Sequence, residues 1–472
     1  MNSLLLISSS FFFFLVVARK QHVLETKEDI TNHYHILQTV SFLPSSICSR
    51  STKGHKKKGR VEVVHKHGPC STFSKDMVKP LSVEEILSLD QNRVKSINSR
   101  LTINTDSKNN TLGTSKTTLP AKSGITIGSG NYIVTVGLGT PKKDLTLTFD
   151  TGSSLTWIQC QPCAGSCYAQ QEPIFEPASS TTYSNISCTA PECSALTSAT
   201  GNQPGCARSS SRCLYSATYG DGSFSVGYFG KDKLTITSED VIEDFYLGCG
   251  QDNEGLFTGF AGLLGLGPDE LSLVSQSADK YGKVFSYCLP SRPSYTGFLT
   301  FGKGVATNNV AYTPLSNVNF YGIELEAIFV GGKNLAISPT VFSRSGTIID
   351  SGTVITRLPA TAYAALRQAF RAEMTKYTLT KPLRIFDTCY DFSNTTTVTV
   401  PSISMLLGGN TRLDIPNQGI LLGNEISQVC LAFAGNEDDS DVGIFGNFQH
   451  KTFEVVYDLP GGKLGFASGG CE

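Results

Sequence analysis

From Ile125 onward, apolar residues either alternate with polar ones or run unbroken into a glycine. These are the patterns of strands covered on one face and on both. Tyr132 to Val136 leads into the turn Gly137-Leu138-Gly139-Thr140-Pro141, and Leu145, Leu147 and Phe149 then recur at every second position. Phe260 to Gly267 and Val442 to Gly446 read as buried, glycine-punctuated strands; Tyr321 to Val330, closed by Gly331-Gly332, and Phe453 to Tyr457 read as further strands. Between Cys213-Leu214-Tyr215 and Phe229, the stretch Tyr219-Gly220-Asp221-Gly222-Ser223 signals a hairpin with Gly and Asp at its tip. Helical spacing is rare. Pro268 to Ala278 predicts a short helix, and Pro359 starts a longer one over Ala360 to Tyr377, with Tyr363, Leu366, Phe370 and Met374 on one face.

Before Ile125 the texture differs. The first eighteen residues carry no charge and include the apolar block Phe11 to Val17, which predicts a signal peptide over residues 1–18. No other stretch approaches the roughly 20 apolar residues of a membrane span, so none is expected once that peptide is removed. Residues 19–124 are poor in apolar side chains, with a basic run from His55 to Arg60. One helix stands out there: Ser82 and Glu85 form a capping box, and Val83, Ile86, Leu87, Val94, Ile97 and Leu101 follow at helical spacing. The segment is expected to be a propeptide, partly helical and partly disordered, that packs on the body and is then removed; a basic tail without a partner is the alternative.

Charge supports two differently built parts. Residues 19–124 hold eighteen Lys plus Arg against nine Asp plus Glu, a net of +9; subtracting these from the whole-chain 39 and 40 leaves 21 against 31, a net of −10, for the remainder. A basic front attached to an acidic body predicts docking of one on the other, with acid release as carboxylates protonate.

At 472 residues the chain exceeds one small core. The expected division after the propeptide is an N-terminal lobe over 125–310, carrying a Cys-rich insert at about 160–213, and a C-terminal lobe over 311–472. Of fourteen cysteines, twelve lie between Cys160 and Cys471, which with a secretory leader reads as six disulfides in an oxidising compartment. Cys160, Cys163 and Cys167 have ligand-like spacing, but neither a second such cluster nor nearby histidines accompany them, so no metal site is expected. Asn109, Asn185 and Asn394 begin glycosylation sequons.

Histidine usage narrows the chemistry. Six of seven histidines precede residue 70, leaving only His450 in the body, where it is expected at the surface. A Ser-His or Cys-His hydrolase needs a positioned imidazole, and a zinc hydrolase usually needs several. What the body does contain is a repeated carboxylate loop. Leu145 to Phe149 delivers Asp150-Thr151-Gly152-Ser153, and Gly346 to Ile349 delivers Asp350-Ser351-Gly352-Thr353. Asp followed by Ser or Thr and then Gly arises by chance in roughly one chain of this length in five, so a single copy means little. Two copies, each after an apolar strand, imply two lobes that present one carboxylate each to a shared cleft. Two such carboxylates share a proton, so one activates water while the other protonates the leaving group. Thr151 and Ser351 supply hydroxyls to brace the loops, and Gly152 and Gly352 let backbone N–H groups approach the acids. No cofactor is required.

Asp150-Thr-Gly-Ser-Ser with Trp157 seven residues on, Asp350-Ser-Gly-Thr, the runs Leu263-Leu264-Gly265 and Ile444-Phe445-Gly446, and Tyr219-Gly220-Asp221-Gly222 occur in the order of a known family. From Asn131 to Cys471 the chain resembles a pepsin-type (A1) aspartic protease of the plant nepenthesin-like branch. The resemblance implies an all-β, bilobal, double-psi barrel fold with few short helices, and a monomeric endopeptidase of acid pH optimum that is made as a zymogen and acts on polypeptides. It implies Asp150 and Asp350 as the catalytic pair, Tyr219, with Gly220 and Asp221, as the flap, and Trp157 as the tyrosine's partner. Ser153 is expected to bond Asp150, and Gly352 and Thr353 to meet substrate backbone. It further implies the pairs Cys160–Cys163, Cys167–Cys249, Cys188–Cys213, Cys193–Cys206, Cys288–Cys471 and Cys389–Cys430. Ser351 stands where many members have Thr. The propeptide becomes an intramolecular inhibitor and the product is secreted to the apoplast. Val61-Glu-Val-Val-His-Lys-His-Gly-Pro-Cys70 resembles a prosegment signature of plant relatives linked to plastid nucleoids, which leaves plastid or vacuole, and a DNA-binding prosegment, as alternatives. Nucleic acid is not the expected partner, because the basic residues lack interleaved aromatics. A non-catalytic pepsin-fold inhibitor is the remaining alternative; such proteins typically lose one Asp or its loop.

Overall fold

The computed structural model describes residues 33–51, 59–72, 82–106, 132–219, 222–255, 257–302, 305–306, 308–316 and 319–470. The expected signal peptide, the Asn109 sequon, Gly220, Asp221 and Cys471 lie outside them. Three elements come from the basic front: β1 (Tyr34–Gln38), β2 (Arg60–His65) and α1 (Val83–Asp106). The body opens with β3 (Tyr132–Leu138), β4 (Lys143–Asp150) and β5 (Trp157–Gln159).

Two similar halves are built around parallel strand pairs. β4 runs parallel to Gly262–Gly265 with Asp150 opposite Gly265, and β5 pairs antiparallel with that same strand, Trp157 opposite Leu263. In the second half Thr347–Asp350 runs parallel to Gly443–Gly446 with Asp350 opposite Gly446, and Thr356–Leu358 pairs antiparallel, Arg357 opposite Ile444. All four residues of Gly262–Gly265, of Thr347–Asp350 and of Gly443–Gly446 are buried. Burial on both faces is why these strands read as continuous apolar runs rather than alternations. Between the halves, aromatic rings close the core: Phe285 stacks on Tyr457 at 4.4 Å, and Tyr321 lies 4.7 Å from Tyr457.

The front segment is part of this architecture. β2 sits inside a 15-stranded sheet, between Thr296–Phe301, where Val61 faces Leu299, and β3, where Val64 faces Ile133. β1 pairs with Thr397–Pro401. The capping box forms as the sequence indicates, Glu85 N–H donating to Ser82 Oγ at 3.1 Å and Ser82 N–H to Glu85 at 2.7 Å. α1 then buries Leu87 among Ile355, Ala432 and Phe448, and Val94 and Ile97 against Ile348, Val442 and Ile444. Among the described residues no helix is long and apolar enough to cross a membrane.

Several expectations are corrected. The long helix ends at Glu373 rather than Tyr377, Met374 closing it through its N–H to the Phe370 carbonyl. The stretch Pro268 to Ala278 opens two short helices, Leu273–Gln276 and Ala278–Tyr281, because Ser277, at φ −102° and ψ 15°, leaves the helical backbone region and caps the end of one and the start of the other. Disulfide pairing follows the sheet rather than order along the chain. Cys160 follows β5, which pairs in parallel with Asp240–Glu254, so it bonds Cys249 rather than Cys163. Cys163 is left to bond Cys167. Cys193 and Cys213 are both buried and bond each other, while Cys188 and the exposed Cys206 form a separate pair, in place of Cys188–Cys213 and Cys193–Cys206. Cys389 and Cys430 are bonded and face each other across two strands. Cys48 bonds Cys70 within the front segment. Cys288 is disulfide-bonded. His450 is fully buried, not superficial: its ring meets the Tyr287 hydroxyl at 2.9 Å and the Phe445 carbonyl at 3.0 Å.

Candidate active site

Each carboxylate sits where a buried parallel strand ends and the chain turns sharply. Asp150 Oδ1 accepts from Gly152 N–H at 2.9 Å and Oδ2 from the Ser153 hydroxyl at 2.5 Å. Asp350 repeats this, Oδ1 accepting from Gly352 N–H at 3.0 Å and Oδ2 from the Thr353 hydroxyl at 2.6 Å. The loops hold each other reciprocally: Thr151 N–H donates to Ser351 Oγ at 3.1 Å, and Ser351 N–H to Thr151 Oγ1 at 2.8 Å. Serine in place of threonine keeps this brace, because only the hydroxyl is used. Glycine is required by closeness here. A Cβ on Gly152 would lie 2.8 Å from Asp350 Oδ1, and one on Gly352 would lie 2.3 Å from Asp150 Oδ1.

Seven residues after Asp150, Trp157 donates from Nε1 to the Tyr219 hydroxyl at 2.7 Å, and Phe257 packs edge-on to both rings. Tyr219 N–H to Ser223 carbonyl and Gly222 N–H to Tyr219 carbonyl close the hairpin. The single body histidine lies behind this site and holds tyrosine in place; burial drives its pKa down to about 3, so it stays neutral.

Two charged residues on α1 complete the site, and neither was singled out from the sequence. Arg93 reaches between the acids, Nη2 lying 2.8 Å from Asp150 Oδ1 and 2.9 Å from Asp350 Oδ1, with Nε 2.9 Å from Asp350 Oδ2. One nitrogen thus touches both carboxylates. Burial pushes the Asp350 carboxyl up, but the Arg93 guanidinium, Thr353 and Gly352 outweigh it and hold the group below the usual carboxylate range. Burial lowers Arg93 while Asp150 and Asp350 raise it, and the acids win. One turn earlier Asp90 accepts from Val354 N–H at 2.5 Å and Ile355 N–H at 3.1 Å and pairs with Arg357 at 2.9 Å. A signal was present. On the helical face drawn by Leu87, Val94 and Ile97, positions 90 and 93 are charged, and charges on a buried face are paired or costly.

Comparison with known proteins agrees with this arrangement. A family model described as Xylanase inhibitor N-terminal matches residues 132–303, and one described as Xylanase inhibitor C-terminal matches residues 320–468. The chain is 53% identical over 446 residues to an aspartyl protease family protein of Arabidopsis thaliana, covering 93% of each. To the aspartyl protease AED1 of the same plant it is 50% identical over 446 residues, covering 94% of this chain and 93% of that one. With aspartic proteinase nepenthesin-2 of Nepenthes gracilis identity is 36% over 358 residues, 73% of this chain and 78% of that one. Among solved structures, the basic 7S globulin from soybean shares the fold with a TM-score of 0.58 at 22% identity, over 71% of this chain and 92% of that one. The fold is all-β and pepsin-like, and the chain belongs to the plant pepsin-type aspartic proteases, in their nepenthesin-like branch.

Proposed function

We propose that the chain is an aspartic endopeptidase, made as a zymogen in which α1 plugs the site. The observation that carries this is the pair Asp150 and Asp350, braced loop to loop and close enough for one Arg93 nitrogen to touch both. With α1 withdrawn, a water takes the place of that nitrogen. The ionised carboxylate removes its proton as the oxygen attacks the scissile carbonyl carbon, and the protonated partner donates to the carbonyl oxygen; as the C–N bond then breaks, the first acid passes the water's proton to the amide nitrogen and the second takes its proton back from the gem-diol. Gly152 and Gly352 N–H groups and the Ser153 and Thr353 hydroxyls orient the acids, and Tyr219 on its hairpin covers the reacting centre, steadied by Trp157. Gly352 and Thr353 line the path of the substrate backbone.

In this reading residues 19–124 are the prosegment, residues 1–18 direct secretion to the apoplast, and the monomer divides into lobes at about residue 310. Two described parts of the basic front are employed internally, Arg93 on the acids and β2 within the sheet, which argues against a nucleic-acid role for them. The xylanase-inhibitor descriptions of the matched family models favour one second reading, a non-catalytic inhibitor; two intact Asp loops speak for the protease. The deciding experiment is acid-pH digestion of an unfolded protein by the wild-type chain and by Asp150→Asn, with and without a pepstatin-type inhibitor. Cleavage lost in the variant and in the inhibited sample supports the proposal. Equal, inhibitor-insensitive cleavage by both rejects it.

A further inference from the structure

We propose that Arg357, with the N–H groups of Val354 and Ile355, forms a carboxylate-binding subsite, filled by Asp90 in the unprocessed chain and by an acidic substrate side chain afterwards. The proposal rests on the endopeptidase reading and adds a substrate class to it. Three donors converge on Asp90: Val354 N–H at 2.5 Å, Ile355 N–H at 3.1 Å and Arg357 Nη2 at 2.9 Å. Both side chains of the pair are fully buried. Burial pushes the Asp90 carboxyl up and the Arg357 guanidinium down, and each opposes the other's shift.

Removal of α1 strips this cation selectively. Nη2 loses Asp90 and also Gln91, whose Oε1 lies 3.3 Å away. Nη1 keeps the Ile355 carbonyl at 2.9 Å, and Nε has no partner among the described residues. A guanidinium fixed by its own strand, with two N–H groups beside it, is a preformed receptor for a planar carboxylate.

Its place in the fold fits a role in selectivity. Arg357 faces Ile444 as Trp157 faces Leu263, seven residues after Asp350 and Asp150 respectively. The first half of the cleft puts an indole there, beneath the hairpin tyrosine; the second puts a cation. Asp90 stands three residues before Arg93, about 4.5 Å along a helix axis. At about 3.3 Å per residue in an extended peptide, an acidic side chain within about three residues of the scissile bond reaches the same donors.

The test uses full-length chain exposed to acid, and peptide pairs that differ only by Glu or Gln at each position within three residues of the cut. Near pH 5.5, where free Glu is ionised, the Glu member at one position is expected to be cleaved with about tenfold higher kcat/KM, carried by KM, in line with a charge-assisted bond. The preference should fade towards pH 3 as the substrate acid protonates, and vanish in Arg357→Gln and Arg357→Met, which should cleave the Glu and Gln members of each pair alike. Equal cleavage of every pair by wild type overturns the subsite while leaving the endopeptidase reading standing, and needs no variant to fold. Fluorescence polarisation of the same peptides on acid-exposed Asp150→Asn gives a readout free of turnover. Tighter Glu binding without wild-type cleavage would retain the subsite and reject the protease; equal binding of the two peptides rejects the subsite.

Discussion

The end of β2 and the two residues after it set three basic side chains in a row, His65, Lys66 and His67, and protons should eject the strand. His65 packs edge-on against Tyr132 at 5.5 Å, its Nδ1 accepts from His67 N–H at 3.3 Å, and Lys66 lies over the Phe260 ring at 3.9 Å. Lys451, over Phe448 at 3.6 Å, adds a fourth positive neighbour. Burial foremost, then these neighbours, lowers His65 to about 3 and His67 to about 4. Lys66 and Lys451 are lowered by burial to about 7, so they are charged already when the histidines begin to titrate. The sign follows from linkage. Above the free value of about 6.5 both imidazoles are neutral docked or undocked; as pH falls from there the free strand takes protons that the docked strand refuses, and docking weakens until the docked values are reached. At about pH 4.5 each imidazole accounts for at most about 2.7 kcal/mol, two pH units at 1.36 kcal/mol each. Halving the pair for partial solvent access leaves about 2.7 kcal/mol, or about 100-fold weaker docking. Asp350, held below the ordinary carboxylate range, keeps its Arg93 contact down to more acidic pH, so the histidines act first. The assay is hydrogen exchange of the β2 amides against pH in full-length Asp150→Asn, where no cleavage intervenes. Wild-type histidines should lose protection between about pH 6.5 and 4; the double variant His65→Phe, His67→Phe should do so about one unit lower or more. An unchanged midpoint would refute the reasoning and return the trigger to the carboxylates.

Arg93→Met removes the cation between the acids while keeping its bulk, so unprocessed chain should bind a labelled pepstatin-type probe near neutral pH where wild type does not; equal exclusion by both would show that Arg93 is not the plug. Leu87→Ala, at a fully buried position, should weaken α1 docking by about 2–4 kcal/mol, seen as earlier loss of α1 amide protection with body amides unaffected. Trp157→Phe deletes the donor to Tyr219 and should lower kcat/KM about tenfold with little change in melting temperature, whereas unchanged turnover would make that bond incidental.

The strands and both Asp loops were legible because their signals are local. Leu145, Leu147 and Phe149 announce a strand, and Asp-x-Gly after such a strand announces an exposed turn. Cys389–Cys430 apart, the described disulfide partners of the body were not, since Cys160, for one, meets Cys249 only through parallel pairing of strands far apart in sequence. His450 misled for a related reason. A lone histidine in the body reads as a surface residue, yet Tyr287, contributed by a distant strand, satisfies it in the core. Arg93 and Asp90 were visible as charges on an apolar helical face, but their partners at Asp350 and Arg357 lie over 250 residues away, and no periodicity encodes that distance.

β2 is an inner strand, bonded on both flanks to Thr296–Phe301 and β3. Lifting it out leaves two unsatisfied strand edges about 9.6 Å apart, twice the interstrand spacing, and a row of bare backbone donors and acceptors down the middle of the molecule. In the zymogen reading, maturation is a repair as much as a release, since another stretch of chain must slide into the slot or the flanking strands must close on each other. The same slot bears on production of the protein: a gene that begins at residue 132 asks the newborn chain to assemble its central sheet with one plank missing.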